Sequence, residues 1–208
     1  MTPSLQKVFT FNEFLEFLET QPENIRYELY DGNIVKMPQP LGTHEQIIMF
    51  LARMLLLKIV DVKLLYDISS KNVLVKPENK QSGYYPDILL LNIPNLKNEP
   101  LWEKESTVSK PDSIPLVIEV VSTNWRDDYH KKFADYEEMG IQEYWIVDYA
   151  ALGSKELIGD PKQPTITIYS LSDEGEYRGK QFRGDDRIES PTFLDLNLTV
   201  EQIFSARY

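Results

Sequence analysis

The chain has 208 residues, enough for a sizeable core, and with 42% apolar and 26% charged residues it has a folded protein's composition, not a disordered tract's. It contains no cysteine, which excludes disulfides, thiolate metal ligation and cysteine nucleophiles, so any metal must be held by oxygen or imidazole. The net charge of -11 argues against a broadly electropositive, phosphate-gripping surface, although bound divalent cations reverse the sign locally wherever carboxylates cluster.

Met1 to Thr10 lacks the apolar run of a signal peptide, and no stretch approaches the ~20 apolar residues needed to span a bilayer. A cytoplasmic protein is expected. Thr10 and Glu13 have capping-box spacing, and Phe14, Leu15 and Leu18 follow at helical intervals, predicting a short helix that ends near Gln21-Pro22. Tyr27 to Tyr30 and Asn33 to Met37 flank Asp31-Gly32, a tight-turn dipeptide, and so predict a hairpin.

Thr43 and Gln46 form a second capping-box pattern ahead of Ile47, Ile48, Leu51, Met54, Leu55 and Ile59, an apolar stripe that predicts a core helix of about four turns. Strand segments are expected over Lys63 to Tyr66 and Lys71 to Lys76, and Tyr84 to Leu91 is an apolar run containing Asp87. Asn92 to Ser113 reads as a surface excursion. Leu116 to Val121 is apolar on both faces, as in a covered central strand, and is interrupted by Glu119.

Asp127 to Met139 then predicts a helix stopped by Gly140, and Glu143 to Asp148 the next strand, a crossover that implies parallel pairing. Ala151 to Pro164 reads as a loop, Thr165 to Tyr169 and Tyr177 to Phe182 as strands, and Thr199 to Phe204 as a short terminal helix. The expected fold class is α/β, a central mixed sheet flanked by helices, in one domain over 1–208. Within it, 1–42 form an N-terminal helix and hairpin extension, 43–150 the core, and 151–208 the C-terminal strands and helix.

An ionised carboxylate costs several kcal/mol to bury, so Glu119 between Val117 and Val121 requires a cation, a proton or a set of donors. A structural salt bridge would satisfy it equally well. Asp87, beside Pro86 at the other strongly apolar strand, alters the weighting: two carboxylates converging from neighbouring strands suit Mg²⁺, which takes one or two protein carboxylates and fills its shell with water and phosphate oxygens. Asp128, Lys132 and Tyr136 recur every four residues, so Lys132 could face the carboxylates, but spacing alone fits an ordinary Asp128–Lys132 surface pair as well.

His44, in the first turn of its helix, fits a packed or surface residue better than a catalyst, and His130 is expected to face solvent. Ser122 reads as a loop anchor, Glu45 as a partner of its helix N-terminus, and Tyr84, Tyr85, Tyr144 and Trp145 as core and sheet residues. No glycine-rich phosphate loop is present, and two histidines without cysteine make a zinc enzyme improbable.

Pro86-Asp87 followed by Glu119-Val120-Val121 resembles the PD-(D/E)XK nuclease signature, with Val121 at the lysine position. More closely, Tyr27 to Gly32, His44, Pro86-Asp87, Val117 to Ser122, Asp128, Lys132, Tyr136 and Gly140 to Asp148 together resemble the Uma-type endonuclease family, over nearly the whole chain. The resemblance implies a restriction-endonuclease-like core in which Asp87, Glu119 and the carbonyl of Val120 bind Mg²⁺ or Mn²⁺. It also implies that Lys132 replaces the strand lysine and orients the attacking water, that Glu28 is an additional acidic member, and that a homodimer acts on DNA. Two other readings stay open: a catalytically inactive scaffold or interaction module, favoured by the -11 charge and the missing strand lysine, and an enzyme acting on a smaller phosphorylated substrate.

Overall fold

A computed structural model describes residues 7–22, 24–69 and 72–206. Helix α1 (Phe11–Glu19) opens with the expected capping box: the Glu13 amide donates to Thr10 Oγ1 at 3.2 Å and the Thr10 amide to Glu13 Oε2 at 2.8 Å. It buries Phe11 and Phe14 against Leu29 and Leu74. Strands β1 (Tyr27–Tyr30) and β2 (Asn33–Lys36) form the hairpin, turning on Asp31 and Gly32, both at positive φ. The preceding segment crosses this turn, where the Phe9 amide bonds the Gly32 carbonyl at 2.8 Å and a Cβ on Gly32 would collide with Val8.

Helix α2 (Gly42–Val62) runs 21 residues, longer than the stripe predicts, and its N-cap is Leu41 with no side-chain cap. The second capping box does not form because the chain enters the helix before Thr43: the Glu45 amide already bonds the Leu41 carbonyl, which leaves Thr43 inside the first turn. Strand β3 (Tyr66–Ile68) starts at the end of its predicted span, and β4 (Leu74–Val75) is all that forms of the next. Part of that predicted segment, Lys71, lies outside the described residues. Strand β5 (Ile88–Asn92) begins immediately after Asp87.

The stretch from Asn92 to Ser113 is more than a surface excursion. It contains two 3₁₀ turns, helix α3 (Trp102–Glu105) and strand β6 (Thr107–Val108), which pairs in parallel with β4. Leu96, Val108 and Ile114 are buried there, and the Glu99 carboxylate is buried because the Ser109 and Lys110 amides donate to it at 2.9 and 3.0 Å. Apolar anchors within a polar stretch explain why composition alone reads as surface.

Strand β7 (Leu116–Val120) is buried along its whole length and pairs in parallel with β8 (Glu143–Asp148), as the crossover requires. Between them the chain forms a π-helical turn, Asp127–Lys132, continued by α4 (Phe133–Met139), which ends at Gly140 in the left-handed conformation. Helix α5 (Lys155–Ile158) interrupts the expected loop, strands β9 (Thr165–Leu171) and β10 (Tyr177–Phe182) follow, and α6 (Val200–Phe204) carries a Thr199/Gln202 capping box.

The main sheet has six strands in the order β10-β9-β8-β7-β5-β3, all neighbours antiparallel except β7 and β8. Side chains alternate between its faces. Ile88, Leu90, Leu116, Ile118, Val120 and Trp145 pack on one side with Ile47, Leu51 and Leu55 of α2. Leu89, Leu91, Val117, Val121, Tyr144 and Ile146 pack on the other with Tyr136 of α4 and the 92–113 segment. By that alternation Asp87 and Glu119 share the α4 side.

Candidate functional site

Glu119 projects from the fourth position of the five-residue β7 toward α4, only 2% exposed. Its Oε1 accepts hydrogen bonds from Lys132 Nζ at 3.0 Å, at the end of the π-helical turn, and from the Tyr136 hydroxyl at 3.1 Å, one turn on in α4. Lys132 is itself 3% exposed, so the surface ion pair that spacing alone allowed is not what forms. Its ammonium also lies 3.5 Å from Glu28 Oε1, 3.7 Å from Asp128 Oδ1, and over the Tyr84 ring. The π-helical turn ends at Lys132, and such turns place side chains where a regular helix does not.

Asp87 enters from the start of β5, its Oδ2 accepting the Val120 amide at 2.9 Å. His44 lies between two of the predicted ligands, with Nε2 at 2.8 Å from the Val120 carbonyl and 3.4 Å from Asp87 Oδ2. Because a carbonyl only accepts, Nε2 carries the proton and donates. Glu28 is held by its own donors, the Tyr85 amide at 2.7 Å on Oε1 and the Tyr30 hydroxyl at 2.6 Å on Oε2. All four predicted residues, Asp87, Glu119, Lys132 and Glu28, therefore come together, as does His44, which sequence reasoning ranked low because one histidine at a helix start carries no partner information.

Glu28, Asp87, Glu119 and Asp128 surround one lysine and one histidine, an excess of carboxyl groups in a buried place. Burial pushes the Glu119 carboxyl up to about 7, with Lys132 opposing and the charges of Asp87 and Glu28 adding to the rise. Burial likewise raises Asp128 well above the usual carboxylate range against the pull of Lys132. For Asp87 burial acts upward but is outweighed by the hydrogen bond and charge of His44, by Lys132 and by the Val120 amide, so it stays ionised. Lys132 is a permanent cation: burial disfavours its charge, and Glu119, Glu28 and Asp128 more than restore it.

His44, Asp87, Glu119, Asp128 and Lys132 line a cavity of about 350 Å³, bordered by the Met37 to Leu41 loop and by Tyr149, Ala150 and Leu152, with Glu28 behind its wall. Among the described residues no group of three or more His, Asp and Glu side chains forms a ready-made cage. The donor set nonetheless fits a hard divalent cation. Asp87 Oδ1 and Glu119 Oε2 accept from no described residue, the Val120 carbonyl keeps a second lone pair, and Mg²⁺ needs no more than one or two carboxylates. A divalent charge would also offset the surplus of carboxylates.

Of the remaining sequence candidates, His130 is exposed, whereas Glu45 and Ser122 line the cavity, Ser122 Oγ lying 3.5 Å from the Asn124 amide. Tyr84, Tyr144 and Trp145 are buried core residues, whereas Tyr85 is partly buried and lines the cavity. Arg26 also lines the cavity and was not singled out from sequence. The available signal was its position two residues before Glu28, which puts both on one face of an extended strand.

A mixed sheet flanked by helices, with Asp87 and Glu119 brought to one side of it and a buried helix lysine between acids, places the chain in the restriction-endonuclease-like α/β class. The chain belongs to the Uma2 family, described as putative restriction endonuclease, whose profile matches residues 11–201. Among solved structures it is similar to a putative nuclease belonging to DUF820 from Anabaena variabilis ATCC 29413, with a TM-score of 0.70, 17% identity, and coverage of 95% of this chain and 98% of that one. At that identity the likeness is one of fold. No curated protein matches the chain.

Proposed function

We propose that this protein is a metal-dependent endonuclease that hydrolyses phosphodiester bonds in DNA, with Mg²⁺ or Mn²⁺ held by Asp87, Glu119 and the Val120 carbonyl. The observation that carries the reading is the buried Glu119, with one oxygen bonded to Lys132 and Tyr136 and the other without a partner among the described residues, beside an ionised Asp87. A bound divalent cation would lower the pKa of a water and offset charge on the phosphoryl oxygens.

The chain's own groups divide the rest of the work. Lys132, always protonated, cannot act as a base; it donates hydrogen bonds, fixing Glu119 and orienting the attacking water. Glu28 holds Lys132 in place, and His44 fixes the Val120 carbonyl and Asp87 together. Cutting both strands of a duplex would use two copies, so a homodimer belongs to the same reading, and light scattering reports it directly.

The test is divalent-ion-dependent cleavage of plasmid and oligonucleotide DNA by wild type, Glu119→Ala and a surface control, Glu174→Ala. Cleavage lost only in Glu119→Ala supports the reading. Cleavage equal in all three means that this site does not catalyse it. The net charge of -11 favours a second reading, an inactive nuclease-fold scaffold, which predicts no cleavage by any of them.

A further inference from the structure

The site surrounds its would-be substrate phosphate with carboxyl groups, so a cation other than Lys132 has to receive it. Lys132 donates to Glu119 at 3.0 Å and lies 3.5 and 3.7 Å from Glu28 and Asp128, and the donor capacity it keeps is assigned above to the attacking water. Arg26, Lys132 and His44 are the basic side chains lining the cavity, and His44 is committed to Val120 and Asp87. Arg26 remains.

Its surroundings differ from those of the ion-paired bases. Lys80, Lys131, Lys155, Arg178 and Lys180 all pair with carboxylates, as an excess of acids would dictate. Arg26, partly buried, pairs with no carboxylate among the described residues. Its guanidinium lies over the Tyr85 ring at 5.6 Å, and Nη2 makes one long hydrogen bond, 3.4 Å, to the Tyr85 carbonyl. Its Nε is buried without an acceptor among the described residues. A buried donor left unsatisfied is costly, and a guanidinium stacked on an aromatic ring with free donors in a fixed fork matches the oxygens of a phosphate.

The backbone points it the right way. The hairpin ladder continues through Arg26, whose carbonyl accepts the Met37 amide at 2.9 Å, so Arg26 and Glu28 share one strand face about 7 Å apart. Tyr85 joins them, its amide bonded to Glu28 and its ring beneath Arg26. The cation is thus placed along the strand from the carboxylate that holds Lys132.

We infer that Arg26, seated on Tyr85, is the phosphate anchor of this site, binding a phosphodiester of the substrate strand and positioning it against the group formed by Asp87, Glu119 and Lys132. The inference rests on the phosphodiesterase reading above for its substrate. It is a positioning role: Arg26 holds the substrate and takes no part in proton transfer.

The experiment follows the arginine Nε–Hε resonances of the ¹⁵N-labelled full chain, with Arg26 assigned from Arg26→Lys, on titration with inorganic phosphate and then a thymidine dinucleotide. Cleavage kinetics of Arg26→Gln and Arg26→Lys are measured in parallel with Mg²⁺ affinity. The expected result is a saturable shift of the Arg26 resonance and a KM raised roughly tenfold or more in Arg26→Gln, as loss of a charge-assisted hydrogen bond predicts. The rise should be smaller in Arg26→Lys, with kcat and Mg²⁺ affinity nearly unchanged in both.

A resonance that does not move with phosphate, or an unaltered KM in Arg26→Gln, overturns the anchor. If wild type neither cleaves DNA nor binds metal but the Arg26 resonance still shifts saturably, the anion subsite stands and the nuclease reading fails. The two failures are therefore separable.

Discussion

Lys132 Nζ and Glu119 Oε1 meet 3.0 Å apart inside the protein, a helix lysine joined to a strand glutamate. Val121, buried on the same side of the sheet two residues after Glu119, is a hydrocarbon and supplies no charge there. The ammonium beside Glu119 comes from the π-helical turn that follows, over the same sheet face. Removing it should leave Glu119, Glu28 and Asp128 uncompensated. Lys132→Met is predicted to lose about 3–5 kcal/mol of stability, the usual cost of breaking a buried pair from one side. Urea unfolding checks this, and adding Glu119→Gln should recover part of the loss, whereas strict additivity would mean the two side chains are not coupled.

The raised carboxyls set a pH dependence. A group whose pKa is higher folded than unfolded contributes stability that is complete below its unfolded pKa and lost as pH rises through the folded one. Glu119, with a folded pKa of about 7, therefore contributes fully below its ordinary value of 4.5 and loses that contribution toward pH 7 and beyond. His44 acts in the same direction: burial lowers its pKa, but Asp87 more than compensates, so its contribution is lost as pH rises through a value above 6.5. Asp87, depressed, acts only at the acid end, below 3.8. Metal-free protein should thus melt lower at pH 8 than at pH 5.5, and Glu119→Gln should flatten the profile. A melting temperature that rises over this interval would contradict the assignment.

Divalent-ion binding should follow the same titration, since a cation competes with the Glu119 proton. Mg²⁺ affinity is predicted to increase from pH 6 to pH 8 with proton release, which calorimetry in buffers of different ionisation enthalpy measures directly. Binding that is independent of pH across this range would place the ion elsewhere.

His44 tests how the ligands are held. His44→Ala frees the Val120 carbonyl and one contact of Asp87, and losses of such supporting hydrogen bonds typically weaken metal affinity ~10–100-fold. Unchanged Mn²⁺ affinity by electron paramagnetic resonance would show that these ligands do not hold the ion.

The hairpin that carries Glu28 depends on its turn. Gly32→Ala places a side chain at φ 79° and against Val8, and a loss of more than ~1 kcal/mol is predicted by thermal or urea unfolding. A neutral result would mean that the chain before the hairpin does not pack across it.

What was legible in the sequence depended on how local the signal was. The Asp31-Gly32 turn, the Thr10 cap and the parallel β7 and β8 pair follow from spacing and turn chemistry within a few residues. Asp87 and Glu119 stood out because charges inside apolar strands demand compensation. The burial of Lys132 was not legible from its four-residue spacing, which describes a solvent-facing stripe equally well, and only the family resemblance pointed inward. His44 and Arg26 were weak for a different reason: their partners, Val120, Asp87 and Tyr85, are 76, 43 and 59 residues away in sequence, so the contacts exist only through the fold. The 92–113 segment misled because its few buried apolar residues are outnumbered by polar ones whose charges, such as that of Glu99, are satisfied by its own loops.

If Asp87 and Glu119 share one divalent cation, as proposed, calorimetric titration of Mg²⁺ and Mn²⁺ into wild type and Asp87→Ala, with and without inorganic phosphate, will show it. Binding to wild type that is lost in Asp87→Ala, with phosphate strengthening the wild-type signal, is the expected result. Equal binding in both proteins, or none in wild type even with phosphate present, would contradict it.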